Sequence, residues 1–258
     1  MRYRSTDPRP HPRRFRRPAR ALTVLPLAAA LLASAGCVTG DKPEALDTAC
    51  AVVVDGSGSG SANKGFDAKA KLNASIVPFM QDQHCGSLAY APITASSKAS
   101  PCHISDVDLD PPSESTDDVA AIRQNARVKA VAGAHAMLTC AHDTNGGSDV
   151  LGGIARAAEA LPSDGGRTAL LVVSDFEQFD PEFTLTGKSI ATPEARRRSI
   201  DKLIASRGVP PLSGMDVYPV GYGMSRQAKP SAFEPFDAFW TELMVRRGKA
   251  RVHDDYRR

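Results

Sequence analysis

The chain has 258 residues, with 32 basic and 29 acidic side chains and a formal net charge of +3. Eight of the arginines and only one acid lie in residues 1–36, so the remainder has 24 basic and 28 acidic residues and a net charge of −4. The excess of positive charge therefore belongs to the amino terminus. It gives no indication of a nucleic-acid partner, and we predict none.

The amino terminus is typical of an export signal. An apolar segment, Ala21–Ala33, follows the arginine-rich stretch and is shorter than the roughly 20 residues that a membrane-spanning helix needs. Small residues then lead to Cys37, in the order Ser34-Ala35-Gly36-Cys37. This arrangement resembles the lipobox of bacterial lipoproteins, which implies that residues 1–36 are removed and that Cys37 is acylated. An ordinary cleaved signal followed by an incidental cysteine is the alternative.

Strand and helix patterns alternate through the rest of the chain. Residues 37–47 read as a short tether, and residues 48–258 as one large α/β domain. Strands are predicted at Cys50–Asp55, Ser87–Ala95, Cys102–Leu109, Thr168–Asp175, Met215–Gly221 and Ala250–Asp254. Helices are predicted at about Lys64–Gln83, Ser113–Cys140, Val150–Leu161, Thr192–Ser206 and Ser231–Arg247. Such alternation favours a doubly wound, mainly parallel sheet with helices on both faces.

Oxygen-bearing side chains follow two of these strands and precede one helix. The run Asp55-Gly56-Ser57-Gly58-Ser59 comes directly after the apolar residues Ala51–Val54. Gly146-Gly147-Ser148-Asp149 precedes the helix that begins at Val150, and Asp175 ends the strand Thr168–Asp175. Because open α/β sheets bind ligands at the carboxyl ends of their strands, these residues are candidates for one site. Carboxylate and hydroxyl oxygens suit a hard divalent cation such as Mg²⁺.

These three motifs, in this order, resemble the metal-ion-dependent adhesion site of the von Willebrand factor A domain family. The resemblance implies a six-stranded sheet in the order 3-2-1-4-5-6, with strand three antiparallel at an edge. It also implies that Gly221-Tyr222-Gly223 corresponds to the family's G-x-G after strand five. The implied ligands of Mg²⁺ (or Mn²⁺ or Ca²⁺) are Asp55, Ser57, Ser59, Ser148 and Asp175. Two positions depart from the family pattern: Ser148 replaces a threonine, and Phe176 replaces the glycine after Asp175.

The cysteines are consistent with an oxidising compartment. With Cys37 assigned to lipid, four cysteines remain, an even number that allows three pairings. They lack a C-x-x-C spacing, which argues against a zinc site. In the strand order that the resemblance implies, Cys50 and Cys85 start adjacent parallel strands at the lower end of the sheet. Cys102 and Cys140 meet at the upper end, so we expect the disulfides Cys50–Cys85 and Cys102–Cys140.

The resemblance implies a binding module rather than an enzyme. On this interpretation the protein is lipid-anchored on the outer face of a bacterial cytoplasmic membrane. Its cation would capture a carboxylate presented by a partner protein. A metal-dependent hydrolase is the main alternative, with Glu177 and Asp180 as candidate general bases. A degenerate domain of the same fold, which binds no metal, is the third possibility.

Overall fold

A twisted six-stranded sheet forms the centre of the computed structural model, which describes residues 44–58, 66–114, 117–144, 146–163 and 165–256. The strands are β1 (Thr48–Asp55), β2 (Cys85–Ile93), β3 (Val107–Asp108), β4 (Thr168–Val173), β5 (Asp216–Val220) and β6 (Arg251–Val252). Their order is β3-β2-β1-β4-β5-β6. All neighbouring pairs are parallel except β2 with β3. This confirms the predicted fold class and strand order.

Helices cover both faces of the sheet. They are α1 (Ala68–Asp82), α2 (Val119–Asp143), α3 (Val150–Ala160), α4 (Gly187–Ile190), α5 (Pro193–Arg207) and α6 (Pro230–Trp240), the last continuing as a π-helical turn, Thr241–Arg247. Buried side chains of α1 and α2 share one hydrophobic cluster, and those of α3, α5 and α6 share the other. Among the described helices, none combines the length and the apolar character needed to cross a membrane.

The central strand β1 explains why the sheet needs helices on both faces. Ala51 and Val53 belong to the cluster under α3, whereas Val52 and Val54 belong to the cluster under α1. All four side chains are fully buried. A continuous apolar run is the expected pattern for a strand that is covered on both sides.

The predicted edge strand Cys102–Leu109 is wrong in its extent. Only Val107 and Asp108 pair with β2, antiparallel to it. The preceding residues are drawn toward α3, because the Arg156 guanidinium donates to the carbonyl oxygens of Ser100 and Cys102 at 2.9 and 2.6 Å. Those carbonyls are therefore satisfied by a side chain instead of by a neighbouring strand.

The four cysteines of the described chain lie in the two expected pairs. Cys50 is joined to Cys85 with a Cα–Cα distance of 5.6 Å, and Cys102 to Cys140 at 5.7 Å. The first bond connects β1 to β2, and the second connects the segment before β3 to α2. Cys37 lies outside the described residues.

Candidate metal centre

Two buried carboxyl groups lie at the carboxyl ends of the central strands. Val54 of β1 pairs with Val173 of β4. Asp55 is the next residue after Val54, and Asp175 is the second residue after Val173, so both lie at the carboxyl ends of adjacent strands. The Asp55 side chain is fully buried; one carboxyl oxygen accepts a hydrogen bond from the Ser57 amide at 2.9 Å, and the other from the Ser174 hydroxyl at 2.7 Å. Burial raises the pKa of Asp55, while the hydrogen bonds from Ser57 and Ser174 oppose that rise.

Asp175 is the second buried carboxyl group, and it lies close enough to Asp55 for the charge of Asp55 to affect its pKa. Its residue is 3% exposed, and a carboxyl oxygen accepts a hydrogen bond from the Glu177 amide at 3.1 Å. Burial, and then the charge of Asp55, raise the pKa of Asp175 to about 7. The charge of Arg226 lowers it, but less than those two effects raise it. The site therefore holds two carboxylates that destabilise one another near neutral pH.

The Ser148 hydroxyl is the most unusual polar group of the site. The residue is 3% exposed, and its Oγ atom has no hydrogen-bond partner in the part of the chain that the structure describes. The hydroxyl also lowers the pKa of Asp55, which places it within interacting distance of that carboxyl. A buried hydroxyl without a partner is costly, so an oxygen held in this way is available to a ligand.

The loop after β1 approaches α2 closely. Ser57 is 4% exposed and lies in this loop, beside the Asp55 carboxyl that its amide contacts. A Cβ atom at Gly56 would lie 2.4 Å from the backbone of Ala141, so only glycine fits there. Ser59, the remaining proposed ligand, lies outside the described residues.

Phe176, directly after Asp175, adopts the backbone conformation that glycine favours. Its φ is +62°, in the left-handed region that residues other than glycine rarely adopt. The Phe176 amide donates to the Ser174 hydroxyl at 2.9 Å, and that hydroxyl in turn donates to Asp55. The ring is fully buried, with edge-to-face contacts to Tyr222 and Trp240 at centroid distances of 5.0 and 5.3 Å. Aromatic packing offsets the strain, which for such a residue is of the order of 1 kcal/mol.

The two glycines of the Gly221-Tyr222-Gly223 segment after β5 both adopt positive φ angles. Gly221 has a φ of +91° and Gly223 a φ of +62°. The Gly223 amide donates to the carbonyl oxygen of Asp175 at 3.1 Å. The motif thus supports the backbone of a proposed metal ligand from the neighbouring strand.

Glu177 is committed to an ion pair at the rim of the site. Its carboxylate accepts two hydrogen bonds from Arg226, both at 2.6 Å, and one from the Ser225 hydroxyl at 2.6 Å. The guanidinium also lies over the ring of Phe236, 5.1 Å from its centroid. The sequence did not predict this partner, because 49 residues separate Glu177 from Arg226.

Arg207 and two acidic residues form a second ionic cluster, next to the loop that carries Ser148. The Arg207 guanidinium contacts Asp149 and Asp180, and Gln178 Nε2 donates to the same two carboxylates at 3.1 and 2.6 Å. Asp149 also caps α3, where it accepts a hydrogen bond from the Gly152 amide at 2.9 Å. Because Asp149 directly follows Ser148, this cluster fixes the backbone that presents the Ser148 hydroxyl.

The residues present fit a small, hard cation. Asp55, Ser57, Ser148 and Asp175 supply oxygen donors at one edge of the sheet, which is the donor set that Mg²⁺ prefers. In the described ranges no three His, Cys, Asp or Glu side chains are grouped to hold a metal. The proposed donor set is not a group of that kind, because it consists of two carboxylates together with serine hydroxyls. A bound cation would act as a Lewis acid toward a further oxygen ligand.

No model of a known protein family matches the chain, and no curated protein sequence matches it. Inference about its function therefore depends on the residues and geometry of the site.

Proposed function

We propose that the protein is an extracytoplasmic binding module that captures an acidic protein ligand through a bound divalent cation. The cation, Mg²⁺ or alternatively Mn²⁺ or Ca²⁺, is held by Asp55, Ser57, Ser59, Ser148 and Asp175. The partner completes the coordination with a carboxylate. Family membership in the von Willebrand factor A domains is part of this proposal.

The buried Ser148 hydroxyl is the observation that carries the proposal. It lacks a hydrogen-bond partner among the described residues and lies near Asp55, whose charge in turn raises the pKa of Asp175. A divalent cation between these groups would satisfy the hydroxyl and remove the repulsion between the carboxylates. Asp55 and Asp175 lie at the carboxyl ends of neighbouring parallel strands, and the amide of Asp149, next to Ser148, donates to the carbonyl just after β2. No rearrangement of the sheet is therefore needed.

The donor set favours capture of an anion. Hydroxyls supply three of the five proposed donors, and a hydroxyl transfers less charge to the cation than a carboxylate does. The cation therefore keeps enough positive charge to attract a carboxylate from outside.

Both candidate general bases are engaged in ion pairs, which is why we favour binding over hydrolysis. Glu177 is held by Arg226 and Ser225. Asp180 is held by Arg207 and Gln178, and its side chain is completely buried. A general base needs a free lone pair within reach of a water molecule, and these contacts occupy the oxygens that either residue would use.

The amino terminus supports a location at the membrane. Acylation of Cys37 with a diacylglyceryl group would provide two hydrocarbon chains, the number usually required for stable anchoring. Residues 37–47 would then tether the domain at the outer face of the cytoplasmic membrane. A carboxylate-bearing partner in the cell envelope could reach the site from there.

Metal titration tests the proposal. Isothermal calorimetry with Mg²⁺, Mn²⁺ and Ca²⁺ should detect binding to the wild-type protein and lose it in Ser148→Ala. Ser75→Ala is the matched control, because it removes another buried serine hydroxyl, one that donates to the Lys71 carbonyl within α1 at 2.8 Å. Absence of binding for all three cations would overturn the proposal in favour of a degenerate domain.

A further inference from the structure

Phe179 is a large apolar side chain that stands exposed beside the proposed metal centre. The residue is 56% exposed, whereas Phe183 and Leu185 further along the chain are buried. It belongs to a short hairpin, Gln178–Leu185, which we call the rim hairpin. Single exposed apolar residues are common on protein surfaces, so exposure by itself does not indicate a binding role for Phe179.

The backbone of Phe179 is held rigidly against that of Ser148. The two residues exchange both of their backbone hydrogen bonds as an antiparallel pair, with the Phe179 amide donating to the Ser148 carbonyl at 2.9 Å. On its other side Phe179 pairs with Thr184, and the Leu185 amide donates to Gln178 at 2.8 Å. The buried contacts between Arg207 and Asp180 fix the hairpin from below.

This pairing determines which way the Phe179 ring faces. Residues directly opposite one another in an antiparallel pair project their side chains from the same face, with Cβ atoms about 5 Å apart. The Cβ atoms of Phe179 and Ser148 therefore project from the same face of this pair. A ligand atom that reached a cation at Ser148 would pass alongside this ring.

We infer that Phe179 is a recognition residue, and that the partner presents a large apolar side chain directly next to the acidic residue that the cation binds. This inference rests on the proposed function and specifies its ligand. The cation attracts the carboxylate, and the neighbouring apolar side chain covers the Phe179 ring. A rigid aromatic side chain suits such a contact, because little conformational freedom is lost when it is covered.

Selection from a peptide library tests the inference. The probe is a phage-displayed heptapeptide library with a fixed central aspartate, selected on the mature protein with its disulfides intact, in Mg²⁺ and in EDTA. Enriched peptides are then synthesised, and their affinities are compared for the wild type, Phe179→Ala and Phe179→Leu. Val128→Ala is the control, because Val128 is 59% exposed on α2, away from the rim hairpin.

The expected result is enrichment, in Mg²⁺ only, of peptides with Leu, Ile, Met, Phe or Trp next to the aspartate. Phe179→Ala should weaken their binding about tenfold, Phe179→Leu by less, and Val128→Ala not at all. Mg²⁺-dependent enrichment without a preference at these positions, or with equal affinity for Phe179→Ala, would refute the role of Phe179 and leave the proposed function intact. A library that shows no Mg²⁺-dependent enrichment would overturn the proposed function and this inference with it.

Discussion

Replacing Asp175 by asparagine should stabilise the metal-free protein at neutral and alkaline pH. Asparagine keeps the shape of the side chain and an oxygen that can accept the hydrogen bond from the Glu177 amide. It removes the negative charge that burial and the charge of Asp55 both disfavour. The same substitution would thus make the metal-free protein more stable while removing a proposed metal ligand.

The raised pKa of Asp175 sets the magnitude and the pH range of this effect. The pKa of Asp175 is about 7 in the folded protein, compared with 3.8 for an ordinary aspartate. Each pH unit of that difference corresponds to about 1.4 kcal/mol, so the cost of ionising Asp175 in the fold is of the order of 4 kcal/mol. Well below pH 3.8 the carboxyl is protonated in both states, and this cost is absent. Between about pH 4 and 7 the folded state binds more protons than the unfolded state, so the free energy of unfolding falls as the pH rises.

Urea unfolding followed by circular dichroism measures this effect. In EDTA, the free energy of unfolding of Asp175→Asn should exceed that of the wild type by about 1 kcal/mol near pH 4.5 and by about 4 kcal/mol at pH 8. Mg²⁺ at a hundredfold excess over Kd should stabilise the wild type by about 2.7 kcal/mol at pH 8. The variant should gain little from the cation.

The difference between the two proteins is the decisive quantity, because titrating groups that do not interact with Asp175 cancel in it. A difference that stays constant from pH 4.5 to pH 8 would show that Asp175 is not under electrostatic strain. A variant that is less stable than the wild type at pH 8 in EDTA would show that the carboxylate is stabilising, and would refute the reasoning.

Three further predictions concern the framework of the protein and its attachment. Arg207→Met should lower the free energy of unfolding by about 3–5 kcal/mol, because it leaves two buried carboxylates without a positive charge beside them. An effect below about 1 kcal/mol in urea unfolding would contradict this. Replacing Cys102 and Cys140 by serine should cost about 4 kcal/mol from loop entropy, since the bond spans 38 residues, and peptide mapping of the wild type should recover these two cysteines in one linked peptide. Cys37→Ser should release the protein from the membrane fraction into the medium, whereas an unmodified Cys37 in the mass spectrum of the wild type would disprove lipidation.

Much of the fold could be predicted from the sequence, because its determinants are local. The apolar runs of β1 and β4 need burial on both faces, and only a parallel sheet between helix layers provides it. Asp149 was readable as the residue before a helix, and it does cap α3. The polar residues that follow β1 and β4 had to meet at one edge, because parallel strands end on the same side. That edge is where Asp55 and Asp175 influence each other's ionisation.

The environment of the site was decided only by the tertiary structure. Arg207 lies 58 residues from Asp149 and 27 from Asp180, and its place in a charged helix gave no sign of a buried role. Likewise, the sequence offered Glu177 as a candidate general base, whereas in the folded protein its carboxylate is paired with Arg226. Such pairings leave no periodic pattern in the sequence, because they depend on where separate elements come to rest. Phe179 illustrates the same limit, because its position beside Ser148 follows from one backbone pairing between two loops that are distant in the sequence.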